Sequence, residues 1–170
     1  MAINRLIFRN LFNSDESEEL IFWIDATLRA VSTVPVRAKV EIRHALRQGE
    51  ILIGFLDNIP AGFIFRQHIW KNYYEIGAWT VIPQISYPFT GPQLLEEVLR
   101  SPDINFVFFT FQSKIFRFAQ RYGAKRITLF SLPPAVWFRL LLKRIYLTRL
   151  INILKNFQSE KNVILGLIET

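Results

Sequence analysis

The sequence predicts a mixed α/β fold (an α+β mixed sheet) with helices on both faces and the element order β-α-α-β-β-β-α-β-α-β-α-β. Three observations predict it. Apolar runs of strand-like composition alternate with segments of helical periodicity. Two of the strand-like runs are joined by a short turn, which is typical of an antiparallel hairpin. Later strand-like runs are separated by helices, as crossover connections require.

Composition limits the classes to which the chain can belong. Its 170 residues suit one domain spanning residues 1–170. They are 51% hydrophobic and only 21% charged, which excludes a disordered chain. The absence of cysteine excludes a disulfide framework and a zinc–thiolate site, and it fits a reducing compartment such as the cytoplasm.

The charge pattern bears on possible partners. The formal net charge of +7 favours an anionic partner. The basic residues are scattered, however, and nucleic-acid binding needs clustered phosphate contacts, so a nucleic-acid partner is not expected. No stretch reaches the roughly 18 apolar residues that span a bilayer. Arg5 and Arg9 interrupt the first apolar run, so no signal peptide is expected.

The first part of the chain predicts one strand and two helices. Residues 5–11 are short, apolar and typical of a strand. Residues 13–15 form a helix start followed by acidic residues, and apolar positions at helical spacing continue to position 31. After a break at 32–35, a second helix is expected over 36–48, with Gly49 at its C-terminal end. Its inward residues are predicted to be Val40, Ala45 and Leu46.

A β-hairpin and a third strand are predicted next. The strand-like runs at 51–57 and 61–68 are joined by Asn58-Ile59-Pro60. Residues 73–82 predict a third strand, which ends at Pro83. Residues 84–90 are expected to form a loop.

Helices and strands then alternate. Gly91-Pro92 begins a helix through position 99, since proline is tolerated in a first helical turn. Residues 105–112 are apolar on both faces, which is typical of a central strand. Ser113 begins a helix that ends at Gly123, and further strands are expected at 126–130 and 162–168.

A long apolar and basic helix is predicted over residues 134–157. It is apolar almost all round, so it should be buried on more than one side. One interpretation is that one side contacts the sheet and the other contacts a second copy of the chain or a protein partner, with a membrane surface less expected. The alternative is a core helix whose Lys and Arg stems extend to water.

The segment after the third strand carries a recognisable motif. Residues 81–95 align without a gap with V-x-P-x-Y-R-G-x-G-x-G-x-x-L-L, and the chain here resembles the GNAT superfamily of N-acyltransferases. Ser86 stands in place of the family's Arg, and Tyr87 and Phe89 stand in place of two glycines. The matching residues are Val81, Pro83, Gly91, Leu94 and Leu95.

A second segment is similar to the same family. The pattern N-x-x-A-x-x-F-Y-x-x-x-G-F falls on residues 112–124. Phe118 and Gly123 match it, whereas Gln112 and Ala119 depart from it. Residues 57–64 are also similar to the family's hairpin. The resemblance covers most of the chain, from about position 5 to position 130, with the last strand as a further candidate.

The resemblance implies a GNAT-like fold with acetyl-CoA as cofactor. A helix N-terminus after a flexible loop offers N–H groups and partial positive charge to a pyrophosphate. Pro88 and Pro92 each remove one donor, while the hydroxyls of Ser86 and Thr90 can still contact phosphate. The residues expected to contact the cofactor are Val81, Ser86, Tyr87, Thr90, Gly91 and Gln112.

The resemblance also implies transfer of an acetyl group to an amine. Such a reaction needs a base, a donor to the carbonyl oxygen and an acid. Glu75 is the candidate base, and the backbone amide near Val81 is the candidate donor. Ala119 occupies the position of the family's usual Tyr acid, and Tyr122 is the candidate substitute. The alternatives are a solvated strand residue for Glu75 and packing beside Gly123 for Tyr122.

The losses in the motifs motivate an alternative function. The loop Arg, the loop glycines and the Tyr acid are replaced together, as expected of a non-catalytic GNAT-fold structural or interaction protein, for example a phage virion-associated component. His44 and His68 lack metal-ligand spacing. We expect His44 to be a surface residue and His68 a strand-end residue.

Overall fold

The computed structural model describes residues 6–10, 14–31, 36–82, 90–110, 112–144 and 164–170. Within these ranges it contains seven strands and five α-helices, with a 3-10 turn at Leu129–Ser131. The strands are β1 (Ile7–Arg9), β2 (Ile51–Leu56), β3 (Ile59–Trp70), β4 (Tyr73–Val81), β5 (Asn105–Thr110), β6 (Lys125–Arg126) and β7 (Ile164–Glu169). The helices are α1 (Ser14–Ala30), α2 (Lys39–Arg47), α3 (Thr90–Leu99), α4 (Ser113–Gln120) and α5 (Pro134–Arg144).

The strands form a seven-stranded mixed sheet in the order β1-β2-β3-β4-β5-β7-β6. β4 and β5 pair in parallel, whereas the pairs β1–β2, β2–β3, β5–β7 and β6–β7 are antiparallel. A parallel pair needs a crossover connection, and α3 lies in the connection between β4 and β5. The predicted fold class and element order are confirmed.

The β2–β3 hairpin turns on two residues. Asp57 and Asn58 have φ values of 51° and 64°, and Leu56 pairs with Ile59. A two-residue loop with positive φ at both positions is a type I′ turn, whose twist matches that of the flanking strands. The turn is therefore one residue earlier than predicted, and Ile59 and Pro60 belong to β3.

The chain forms two compact units, of which the first comprises Met1–Gln67 and Gly77–Ser101. In the core of this unit, helices α1 and α2 pack against one face of its strands. Gly54 and Gly62 lie on the other face, where an added Cβ would be 3.5 Å and 3.0 Å from Leu94 of α3. Helices therefore cover both sheet faces in this unit, as predicted. The core residues are Leu20, Ile21, Ile24, Leu28, Ile42, Ala45, Leu46, Ile51, Ile53, Phe55, Phe63, Phe65 and Ala78.

Helix α2 corrects one core prediction. Val40 is 66% exposed, so its predicted inward position is wrong. Ile42, Ala45 and Leu46 are the buried residues, because positions i, i+3 and i+4 share one helix face. Gly49 ends the helix as predicted, with a φ of 66°. Its N–H donates to the Leu46 carbonyl, while the next N–H donates to the Ala45 carbonyl, forming a Schellman motif.

The second unit comprises His68–Ile76 and Pro102–Thr170. Val136 and Leu140 of α5 are fully buried and pack with residues of β5 and β7 such as Val107 and Leu165. Arg139 reinforces this packing, since its Nη1 donates to the carbonyl of Ile69 at 2.9 Å. The larger core cluster contains Ile69, Val107, Leu132, Val136, Leu140 and Leu165.

Two elements of the second unit differ from the expected bounds. The strand predicted at 126–130 is reduced to Lys125–Arg126, followed by the 3-10 turn. This short strand is exposed and pairs with β7. In the residues that follow it, the side chains of Thr128 and Ser131 share a hydrogen bond of 2.8 Å. Helix α5 is described to Arg144, and the rest of the helix predicted over 134–157 lies outside the described residues.

Helix α5 also carries exposed apolar side chains. Phe138 is 54% exposed and Leu142 is 48% exposed. The partner-facing role expected of this helix stays a prediction.

Candidate functional site

In the first unit, the end of β4 lies against the start of α3. A Cβ added to Gly91 would lie 3.5 Å from Cγ2 of Val81 and 3.6 Å from Cζ2 of Trp79, which is ordinary van der Waals contact. The structure thus brings together Val81 and Gly91, two of the residues predicted to contact the cofactor.

The start of α3 presents backbone donors. The first four N–H groups of an α-helix have no acceptor within the helix, and the partial positive charge of the helix dipole lies at that end. Pro92 has no N–H, so the donors among the first four residues are those of Thr90, Gly91 and Gln93. This ten-residue helix therefore has an anion-attracting end with three donors.

Thr90 adds a buried hydroxyl at the same helix end. Its side chain is fully buried, and its Oγ1 has no hydrogen-bond partner among the described residues. A hydroxyl buried without a hydrogen-bond partner costs about 1–3 kcal/mol of folding free energy. A bound group that accepts a hydrogen bond from this hydroxyl would remove that cost. Ser86 and Tyr87, also predicted to contact the cofactor, lie outside the described residues.

In the second unit, Gln112 follows the end of β5. Its N–H donates to Oγ1 of the buried Thr110 at 3.0 Å. Its carbonyl accepts from the N–H groups of Ile115 and Phe116, so Gln112 is the N-cap residue of α4. The side chain is exposed. Its backbone orders the start of α4, and its predicted cofactor contact stays a prediction.

Tyr122 lies just beyond α4. Its ring centroid is 5.3 Å from that of Phe118, and its N–H donates to the Ala119 carbonyl at 2.9 Å. The side chain is half-buried. These contacts fix the ring beside α4, and the role of its hydroxyl as an acid stays a prediction.

Glu75 lies in the first half of β4. It is opposite Val107 of the parallel neighbour β5, and it is half-buried rather than fully solvated. Glu75 and Tyr122 are on separate elements, and the structure leaves the predicted role of each as base and acid untested.

The two histidines lie where surface and strand-end residues are expected. His44 is exposed on α2. His68 is exposed near the end of β3, with Nε2 2.8 Å from the carbonyl oxygen of Lys71 and its ring 5.0 Å from that of Tyr74. Within the described part of the chain, no group of His, Asp and Glu side chains is arranged to hold a metal ion. The same residues include no helix long and apolar enough to cross a membrane.

Arg37, in the segment just before α2, was not singled out from the sequence. It is 8% exposed, and its guanidinium lies over the ring of Phe65 with Cζ 4.2 Å from the ring centroid. Its Nη1 donates to Oε1 of Gln67 at 3.2 Å. No motif marks this residue, because its contacts join positions that are far apart in the sequence.

Comparison with known proteins shows the fold. No family model matches the chain, and no curated protein matches it. Solved structures do match. Rv2747 from Mycobacterium tuberculosis, in complex with CoA, is 14% identical with a TM-score of 0.70, over 96% of this chain and 99% of that chain. Naa50 from Arabidopsis thaliana, bound to a bisubstrate analogue, is 11% identical with a TM-score of 0.61, over 97% and 99%.

A longer enzyme matches through one part. N-acetylglutamate synthase from Neisseria gonorrhoeae, complexed with coenzyme A and N-acetyl-glutamate, is 17% identical with a TM-score of 0.67 over 97% of this chain. The chain spans only 35% of the length of that synthase chain. Other matches include the loading GNATL domain of CurA from Lyngbya majuscula and a GNAT-family acetyltransferase from Staphylococcus aureus. The chain has the GNAT fold that the sequence motifs predicted.

Proposed function

We propose that this protein is an acyl-CoA-dependent N-acyltransferase that binds acetyl-CoA and transfers the acetyl group to an amine. The observation that carries the proposal is the buried Thr90 hydroxyl, which has no partner among the described residues and lies at the first residue of α3. A polar group of this kind, beside N–H groups at the positive end of a helix, suits a phosphate oxygen.

The residues at this helix end fit the diphosphate of acetyl-CoA. The diphosphate would accept hydrogen bonds from the N–H groups of Gly91 and Gln93 and from the hydroxyl of Thr90. Gly91 itself packs against Val81 and Trp79. Coenzyme A in the structures of Rv2747 and of N-acetylglutamate synthase supports the same cofactor for this fold. The lack of cysteine supports a reducing, cytoplasmic location.

In the proposed transfer reaction, each of the proposed site residues has one chemical role. When bound, acetyl-CoA supplies an acetyl group activated as a thioester. Glu75 accepts the proton of the acceptor ammonium, which frees the nitrogen lone pair for attack. The backbone N–H near Val81 would donate a hydrogen bond to the thioester carbonyl oxygen, and the Tyr122 hydroxyl would hold a proton for the leaving sulfur.

A thermal titration tests the proposal. A ligand that binds only the folded protein stabilises it by RT ln(1 + [L]/Kd), about 1.4 kcal/mol at ten times Kd. For a chain of this size that corresponds to a rise in Tm of roughly 3–6 °C. Acetyl-CoA should raise Tm by this amount, while acetyl-pantetheine, which lacks the diphosphate, should raise it far less.

Two outcomes contradict the proposal. No rise in Tm at millimolar acetyl-CoA would exclude the proposed cofactor, leaving a non-catalytic GNAT-fold protein. Equal rises with acetyl-CoA and acetyl-pantetheine would show that the start of α3 does not bind the diphosphate.

A further inference from the structure

Helix α5 of the second unit presents apolar side chains to solvent. Phe138, Leu141 and Leu142 are all exposed, and their spacing of three and four residues places them on one helix face. Val136 and Leu140 occupy the other face, which is fully buried. The described part of α5 is therefore apolar on its exposed face as well as on its buried face.

Aromatic rings extend this exposed face beyond the helix. Phe130, in the 3-10 turn before α5, is 83% exposed. The half-buried ring of Trp137 packs against both Phe130 and Phe138, with its centroid 6.2 Å from each of theirs. Single exposed apolar side chains are common on protein surfaces, whereas a contiguous group of them marks an interaction site. This group, the α5 patch, comprises Phe130, Trp137, Phe138, Leu141 and Leu142.

The stretch of sequence that contains the α5 patch has no acidic residue. Residues 104–159 include ten of the chain's 21 Lys and Arg residues and none of its 14 Asp and Glu residues. In the rest of the chain, acidic residues outnumber basic ones, so this stretch carries the whole net positive charge. It belongs to the second unit and includes α4, β6 and α5.

Arg139 places a positive charge directly beside the α5 patch. It follows Phe138 in α5 and is exposed, and its Nη1 donates to the carbonyl oxygen of Ile69. A carbonyl is a neutral acceptor, so this hydrogen bond orders the guanidinium without neutralising it. Lys143 and Arg144 add two cationic residues at the end of the described helix. The apolar residues of α5 are therefore interspersed with cationic ones.

We propose that the α5 patch binds the surface of a bilayer that contains anionic lipids. Aromatic and leucine side chains insert at the boundary between headgroups and acyl chains, while basic residues contact the anionic headgroups. A second copy of the chain fits less well, because a symmetric contact would bring two basic stretches together. An acidic protein would need a groove shaped to the rings, whereas a fluid bilayer accommodates them without one.

Vesicle flotation of the full chain tests this inference without an assay of activity. Vesicles of phosphatidylcholine alone are compared with vesicles that also contain phosphatidylserine. We expect binding to the anionic vesicles to be about tenfold stronger or more. It should weaken when the salt concentration is raised from about 0.1 M to about 1 M, because the Debye length falls from about 10 Å to about 3 Å. Absence of binding to the anionic vesicles would overturn the inference and leave a protein as the occupant of the α5 patch.

Two matched double variants separate the α5 patch from a general attraction of basic residues to lipid. Phe138→Ser with Leu142→Ser should lower the vesicle partition coefficient about tenfold or more, because it removes apolar area that inserts. Phe22→Ser with Val40→Ser is the control, since both residues are exposed and apolar but lie on α1 and α2 of the first unit. The control should partition as the unmodified chain does. Equal partitioning of all three proteins would show that charge alone attracts the chain, which overturns the inference.

Sedimentation equilibrium without lipid tests a second copy as the occupant. We expect a monomer at the protein concentrations used for flotation. A dimer that Phe138→Ser with Leu142→Ser dissociates would show that a second copy covers the α5 patch, and it would overturn the inference. The substituted residues are exposed, so thermal unfolding should show little change in Tm for either double variant. If the α5 variant does not fold, Leu142→Ser alone takes its place in the comparison.

Discussion

Phe108 and Gly166 face each other across the antiparallel pair β5–β7, and the aromatic ring covers the glycine. A Cβ added to Gly166 would overlap the Phe108 ring. The ring also packs against Phe116 of α4, with centroids 6.2 Å apart, so it has little room to move. A glycine is required here by the space that the ring occupies.

Gly166→Ala should therefore destabilise the fold by about 1–3 kcal/mol, because the added methyl group overpacks a filled site. Urea unfolding of Gly166→Ala, of Phe108→Leu and of the variant that carries both substitutions measures this loss of stability. The truncated side chain makes room, so the two substitutions should couple by about 1 kcal/mol or more. Additive effects of the two substitutions would contradict this account.

Gly62→Ala should destabilise more than Gly54→Ala, although the two glycines are direct partners across β2 and β3. A Cβ at Gly62 would lie 2.8 Å from the carbonyl oxygen of Thr80, a backbone atom that cannot turn aside. At Gly54 the nearest neighbours are side-chain atoms of Leu6, Phe8 and Leu94 at 3.3–3.5 Å. We expect a loss of about 2–3 kcal/mol at Gly62 and under about 1 kcal/mol at Gly54, measured by urea unfolding. Similar losses would show that the backbone contact is not decisive.

Thr90→Val and Thr80→Val form a matched pair for the cofactor site. Both hydroxyls are buried and have no hydrogen-bond partner among the described residues, so both variants should keep or slightly raise Tm. Only Thr90 is at the start of α3. Thr90→Val should weaken acetyl-CoA binding about tenfold in isothermal titration calorimetry, whereas Thr80→Val should leave it unchanged. An unchanged affinity in Thr90→Val would remove the central support for the proposed function.

Adjacent leucines of α5 should differ sharply in their effect on stability. Leu140 is fully buried, whereas Leu141 is 39% exposed. Leu140→Ala should cost about 2–5 kcal/mol because it leaves a cavity in the core of the second unit. Leu141→Ala should cost about 0.5 kcal/mol or less, as substitutions at exposed positions usually do. A large loss at Leu141, in thermal unfolding at several protein concentrations, would indicate that this face is covered in solution.

Local patterns in the sequence were sufficient to predict most of the architecture. Helical spacing located α1, and acidic residues marked its start near Ser14. Gly49 ended α2 because a left-handed residue is needed there. The continuous apolar run of β5 correctly predicted a strand with a neighbour on each side, since burial on both faces leaves no position for polar residues.

Features that depend on distant contacts were not predictable in this way. The apolar character of Val40 suggested burial, but only the docking of α2 decides which face is inward. The β-prone residues after Arg126 form a turn, because Thr128 bonds to Ser131. The burial of Arg37 was not predicted because its contacts are with Phe65 and Gln67, about thirty residues further along the chain.

The position of β7 between β5 and β6 has a consequence for biosynthesis. Until Ile164–Glu169 is translated, β5 can pair along only one of its two edges. Translation of the residues between β5 and β7 takes roughly 3–10 seconds. During that interval the nascent chain exposes an apolar strand edge that can pair with another chain. A stalled ribosome or premature stop within this stretch should therefore yield products that depend on chaperones.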